Sequence, residues 1–119
     1  SAMTVPVGIA PGYLREIASA TVPKSRRFPA SCRSVRYVEH TELEFPRQLK
    51  VQRVPKSVNF KIGALQYQAL YALQGQTLKI KRQYTSNRPA SFCDASDDKN
   101  WDAISEVMQH DMRSQIFFR

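Results

Sequence analysis

Residues 65–84 read "LQYQALYALQGQTLKIKRQY": two runs rich in apolar and aromatic residues, the second cationic, meeting at Gly75. In the first run Leu65, Tyr67, Ala69, Tyr71 and Leu73 fall on one side of a period-two alternation, with Gln66, Gln68, Leu70, Ala72 and Gln74 on the other. Leu, Gln and Ala also favour a helix, so this run alone is ambiguous. The second run decides. Leu78, Ile80 and Tyr84 alternate with Lys79, Lys81 and Gln83, and Gly75-Gln76 suits a two-residue turn in which glycine supplies the unusual backbone angles. The stretch is predicted to be a β-hairpin.

Working outward, the same alternation recurs. "CRSVRYVEH" (32–40) sets Ser34, Arg36 and Val38 against Val35 and Tyr37, and "TELEF" (41–45) sets Leu43 and Phe45 against Glu42 and Glu44. Each is predicted as a strand, with His40 in the turn between them. "RQLKVQRV" (47–54) places Leu49 and Val51 on one side and ends at Pro55, and "SVNFKIG" (57–63) turns Val58, Phe60 and Ile62 inward. Upstream, "TVPVGIA" (4–10) reads as an extended lead-in. Pro11 and the spacing of Leu14, Ile17 and Ala18 then predict a short helix over 12–20, followed by a loop over 22–31. The clearest helix is "WDAISEVMQHDM" (101–112), with Trp101, Ile104, Val107, Met108 and Met112 on one face and Asp98 or Asn100 as N-cap. "SQIFFR" closes the chain as a strand. The order predicts an α+β fold: an antiparallel sheet of about five to six strands, a short N-terminal helix, and a C-terminal helix followed by a final strand.

A chain of 119 residues is enough for one domain with its own core. Ser1-Ala2-Met3 resembles the remnant of a removed tag, which leaves 4–119 as the single domain. No stretch approaches the length of a membrane span. The two cysteines, Cys32 and Cys93, are too few for a disulfide framework, and their spacing with His40 and His110 matches no compact zinc pattern. Free thiols point to a reducing, intracellular compartment.

Nucleophilic catalysis needs a nucleophile with a base in reach, and the only sulfur nucleophiles are these two cysteines. His110 lies off the apolar stripe of its helix, and the acids that follow Cys93 would raise its pKa. No Walker loop, nucleophile elbow, H-E-x-x-H or G-x-G-x-x-G occurs. Asp94, Asp97 and Asp98 lack the glycine and closing glutamate of a calcium loop, so helix capping explains them better. The reading is non-enzymatic, without metal, cofactor or small-molecule substrate.

Eighteen Lys and Arg oppose ten acids, for a net charge of +8. Such a balance points to an anionic partner, with nucleic acid first. One basic cluster is Lys24, Arg26 and Arg27, with Arg33 and Arg36 just beyond; the other is Lys79, Lys81 and Arg82 with Arg88. Tyr67, Tyr71 and Tyr84 could supply stacking surfaces beside the hairpin cations, an arrangement suited to single-stranded nucleic acid. The alternative is that the tyrosines are core and the lysines a solvated face.

The C-terminal half also carries a resemblance. "LEFPRQLKV", "LQYQALYALQG", "SFCDASDDKN" and "SQIFFR" are similar in order to the late part of ubiquitin-specific proteases over residues 43–119. Phe45-Pro46 and Leu49 match that family's first motif, Asp97-Asp98 loosely its acidic turn, and Phe117-Phe118 its last strand. The chain departs from the family where the catalytic histidine belongs, since "GQTLKIKRQY" has none. It also lacks an N-terminal cysteine box, and Trp101 follows the acids instead of preceding them. The resemblance implies a catalytically dead fold that binds ubiquitin or another protein. Protein interaction or self-association through exposed strand edges is thus the alternative to nucleic-acid binding.

Overall fold

The computed structural model describes residues 3–6, 34–87 and 95–119. They form an α+β arrangement of seven strands and one helix: β1 (Met3–Pro6), β2 (Val35–Glu44), β3 (Val51–Arg53), β4 (Val58–Ile62), β5 (Leu65–Gln74), β6 (Thr77–Ser86), α1 (Ala95–Met112) and β7 (Gln115–Phe118). The strands make two antiparallel sheets in place of the one expected: a larger sheet ordered β2-β6-β5-β4, and a smaller one ordered β1-β7-β3. The expected helix over 12–20 lies outside the described residues. Met3, set aside with the tag-like opening, is in β1 and pairs with Phe118.

The hairpin is the spine of the larger sheet. β5 and β6 pair along their whole length from Leu65↔Ser86 to Gln74↔Thr77, leaving Gly75 and Gln76 as the turn. Gly75 has φ +62°, a left-handed angle that costs an L side chain roughly 1–2 kcal/mol, and no non-glycine residue among those described takes a positive φ. The turn is also tied down from outside. Gln76 Nε2 donates to the carbonyls of Pro46 (2.7 Å) and Leu49 (2.9 Å), and the Phe45 amide donates to the Gln76 carbonyl at 2.8 Å.

Three local expectations are corrected. Residues 35–44 form one unbroken strand, so His40 sits mid-strand opposite Lys81 and not in a turn. The apolar alternation was interrupted by Glu39 and Thr41, which nevertheless keep the inward phase of Val35, Tyr37 and Leu43. The strand expected over 47–54 shrinks to Val51–Arg53, because the Leu49 amide closes a turn onto the Pro46 carbonyl at 3.0 Å. The helix starts at Ala95, so Asp98 and Asn100 lie inside it and neither is its N-cap. The polar opening of α1 has no apolar periodicity to reveal it.

One face of the larger sheet is buried by α1. Trp101, Ile104 and Met108 are fully enclosed against Leu65, Tyr67, Ala69 and Tyr84, with Met112 at the edge of that cluster. Tyr84 is sandwiched, its ring edge-to-face with Trp101 (5.8 Å) and stacked on Tyr37 (6.4 Å). Each such enclosed apolar side chain contributes roughly 1.5–3 kcal/mol. A second cluster joins Leu78 and Ile80 at the far end of β6 to Ile116 and Phe118 of β7, with Phe45, Leu49 and Val51 packed on it. Phe45 meets Phe118 edge-to-face at 5.0 Å, so residues that carried the family resemblance are packing residues of this cluster. Tyr71 borders both clusters and joins them. No helix among the described residues is long and apolar enough to cross a membrane.

Candidate interaction surfaces

Strand alternation sends neighbouring cations to opposite faces. Lys79 and Lys81 point outward and are exposed, whereas Arg82 points inward and is 4% exposed. Its register neighbours are Ala69 on β5 and Glu39 on β2. Arg82 Nε donates to Asp111 Oδ2 of α1 at 3.1 Å, in an ion pair almost wholly removed from solvent. Asp111 also accepts from Tyr67 Oη (2.5 Å) and Tyr71 Oη (2.5 Å), and Arg82 Nη2 donates to Tyr71 Oη at 3.3 Å. Burial, then the Asp111 charge and hydrogen bonds, push both tyrosine hydroxyls far above their ordinary pKa. Burial would lower the Arg82 guanidinium, but Tyr71, Tyr67 and Asp111 together hold it up. The network ties helix to sheet with every member partnered, as buried polar groups require.

The expected nucleic-acid site is therefore corrected at two residues. Arg82 and Tyr84 are core, and Tyr67 is enclosed with them while Tyr71 is half-buried on the same inner face, so among the described residues these tyrosines form no outward stacking platform beside Lys79 and Lys81. Arg36 does lie on the outer face with those lysines, its Nη2 3.4 Å from Gln83 Oε1. Lys79 faces Glu42 at 3.7 Å with both side chains more than half exposed. Lys24, Arg26, Arg27, Arg33 and Arg88, like Cys32 and Cys93, lie outside the described residues. The outer face is otherwise polar, rich in Gln66, Gln68, Gln74 and Gln83, with Leu70 (52%) and Val38 (38%) its exposed apolar side chains.

A second surface was not anticipated. The segment joining β3 to β4, the C-terminal half of α1 and β7 enclose an open groove of about 1180 Å³. Val54, Pro55, Val58, Phe60, Val107 and Phe117, all half-buried, make its walls apolar, while exposed Arg53, Lys56, His110 and Arg113 stand around them. Arg53 is held in place by packing its guanidinium 4.2 Å above the Phe117 ring. Of the two acids present, Glu106 is exposed and Asp111 is already paired to Arg82, so the groove carries a net positive charge.

The sequence held a signal for this surface. From residue 45 to residue 93 there is no acid at all, and Arg47, Lys50, Arg53 and Lys56 recur at every third position. Period three matches neither strand nor helix, so a search keyed to those periods passes over it. Comparison of the chain with protein families, curated proteins and solved structures gives no match.

Proposed function

We propose that this chain is a non-enzymatic interaction domain that captures an acid-bearing segment of a protein partner in the groove between β4, α1 and β7. The observation that carries the reading is the pairing of apolar walls with the Arg53, Lys56 and Arg113 rim. Apolar walls supply contact area that a phosphodiester backbone would not use, and the cations select a segment bearing carboxylates. The test is fluorescence anisotropy with labelled acidic and basic peptides of equal length at two salt concentrations. The acidic peptide should bind and the basic one should not. Arg53, Lys56 and Arg113 changed together to Ala should weaken binding by roughly threefold to 150-fold, since exposed charge pairs contribute roughly 0.2–1 kcal/mol each. Equal affinity in the triple variant would remove the groove from consideration. The resemblance to ubiquitin-specific proteases supplies one named candidate, and titration with ubiquitin would show a 1:1 complex if that likeness has functional meaning.

Nucleic-acid binding is the second reading, favoured by Arg36, Lys61, Lys79 and Lys81 standing exposed on one open sheet face. Without outward aromatic groups among the described residues of that face, such binding would be chiefly electrostatic and would weaken steeply with salt. Labelled single-stranded RNA, single-stranded DNA and duplex DNA, with Lys79 and Lys81 changed to Ala as the comparison, test it directly. Affinity insensitive to salt, or to the double change, argues against this face.

A further inference from the structure

The groove is lined by a strand that, among the described residues, is paired on one side only. β4 is the last strand of the larger sheet, bonded to β5 from Val58↔Ala69 to Ile62↔Leu65, and among the described residues no backbone group bonds to its other edge. Helix α1 packs beneath both β5 and β4, and its half-buried Ala103 and Val107 line the groove. Val58 and Phe60, the inward residues of β4, border the same space. A free row of backbone donors and acceptors over an apolar helix flank is the arrangement that recruits an extended segment as an added strand.

We infer that the partner segment binds as a fifth strand on β4, in extended conformation, alternating apolar residues that pack on Val107 and Phe60 with acidic residues that meet the surrounding cations. Charge decides the composition of this strand. Lys56 and Lys61 flank and punctuate β4 itself, Arg53 and Arg113 stand at the groove, and the whole segment from 45 to 93 contributes no acid to repel a carboxylate. Lysines on an edge strand also discourage pairing with copies of the same chain, so the surface favours an acidic strand over a second copy of itself. This inference rests on the groove reading and adds the mode of binding to it.

The test separates the two. The probe is a fluorescein-labelled, end-capped octapeptide of four Val-Glu repeats, with four Val-Lys repeats as the control. Successive amides of an extended strand point to opposite sides, so N-methylation of alternate residues removes either the bonds to β4 or only solvent-facing groups. Strand addition requires that one N-methylated set lose at least tenfold in affinity and the other stay within about threefold. It also requires that alternate amides of Val58–Ile62 gain hydrogen-exchange protection when the peptide binds. Binding of the acidic peptide with both N-methylated sets equally tolerated, or with no new protection in β4, overturns strand addition and leaves the groove reading standing. Absence of binding by the acidic peptide, or equal binding by the Val-Lys control, overturns both.

Discussion

Lys81 and Arg82 are adjacent in the chain and carry the same charge, yet one stands in solvent opposite His40 and the other is sealed beneath the sheet against Asp111. The two faces of the larger sheet differ in the same way throughout. The inner face holds Leu65, Tyr67, Ala69 and Tyr84 under α1; the outer face holds glutamines, lysines and two exposed aliphatic residues. A cation on the inner face is a structural element, because its desolvation has to be offset by a partner, whereas a cation on the outer face is available to whatever approaches. Composition counts both kinds as charge. Only the inner kind decides whether the domain folds.

The largest effect expected from this contrast comes from breaking the buried pair. Asp111→Ala deprives the buried Arg82 charge of the Asp111 carboxylate and strips Tyr67 and Tyr71 of their acceptor, and should cost about 3–5 kcal/mol in urea unfolding. The double change Arg82→Met with Asp111→Leu should recover only part of that loss, because it removes the buried unpaired charge but still leaves the Tyr67 and Tyr71 hydroxyls without their acceptor. A loss of less than 1 kcal/mol in the single variant would mean that the network does not bear on stability. Ile104→Ala, on the helix face pressed to the sheet, should cost roughly 2–5 kcal/mol, against a change within about 0.5 kcal/mol for Leu70→Ala on the outer face. Equal losses would erase the distinction between the faces.

The tyrosines make the contrast sensitive to pH. Burial is the first cause that holds Tyr67, Tyr71 and Tyr84 above the ordinary value of 10.0. The folded state therefore keeps these protons while the unfolded chain releases them above pH 10. Stability is full below the unfolded pKa and falls as pH rises beyond it, by up to about 1.4 kcal/mol per pH unit for each tyrosine. Urea midpoints at pH 9, 10 and 11 should decline over the last step, and Tyr71→Phe should make that decline shallower. A flat profile would show that these hydroxyls ionise as readily folded as unfolded.

Smaller effects sit at the turns. Gly63 and Gly75 both have positive φ, but a Cβ on Gly75 would meet nothing within 4 Å, while one on Gly63 would lie 2.5 Å from Asn100 Nδ2. Gly75→Ala should cost roughly 1–2 kcal/mol from the backbone angle alone. Gly63→Ala should cost more, and Asn100→Ala should remove the excess. At the bottom of the scale, Lys79→Ala, which deletes an exposed pair with Glu42, should change stability by no more than about 0.5 kcal/mol by thermal or chemical melt.

Much of the frame was legible in the chain because its causes are local. Period-two alternation and the Gly75-Gln76 turn marked β5 and β6 and assigned most of their residues to a face, Arg82 excepted, which its charge grouped with Lys79 and Lys81. Trp101, Ile104, Met108 and Met112 marked the buried stripe of α1, and Ile116 to Phe118 the closing strand. The elements missed were those where a polar residue sits at an inward position. Glu39 and Thr41 disguised the middle of β2, and Asp111 hid a buried residue among polar neighbours. In each case the side chain is inward because of what faces it from far along the chain: Glu39 stands opposite Arg82, and Asp111 beneath Tyr67 and Tyr71.

Sequence by itself determined the faces, because a strand's alternation and a helix's stripe follow from backbone geometry over a few residues. Tertiary structure alone decided which face would be buried and which cations would be consumed by it. It also brought Arg53 and Lys56 to the same groove as Arg113, about sixty residues later. Those outcomes depend on α1 crossing one side of the sheet and on its Asp111 meeting Arg82 there. Both are long-range packing relations, which no window of neighbouring residues contains.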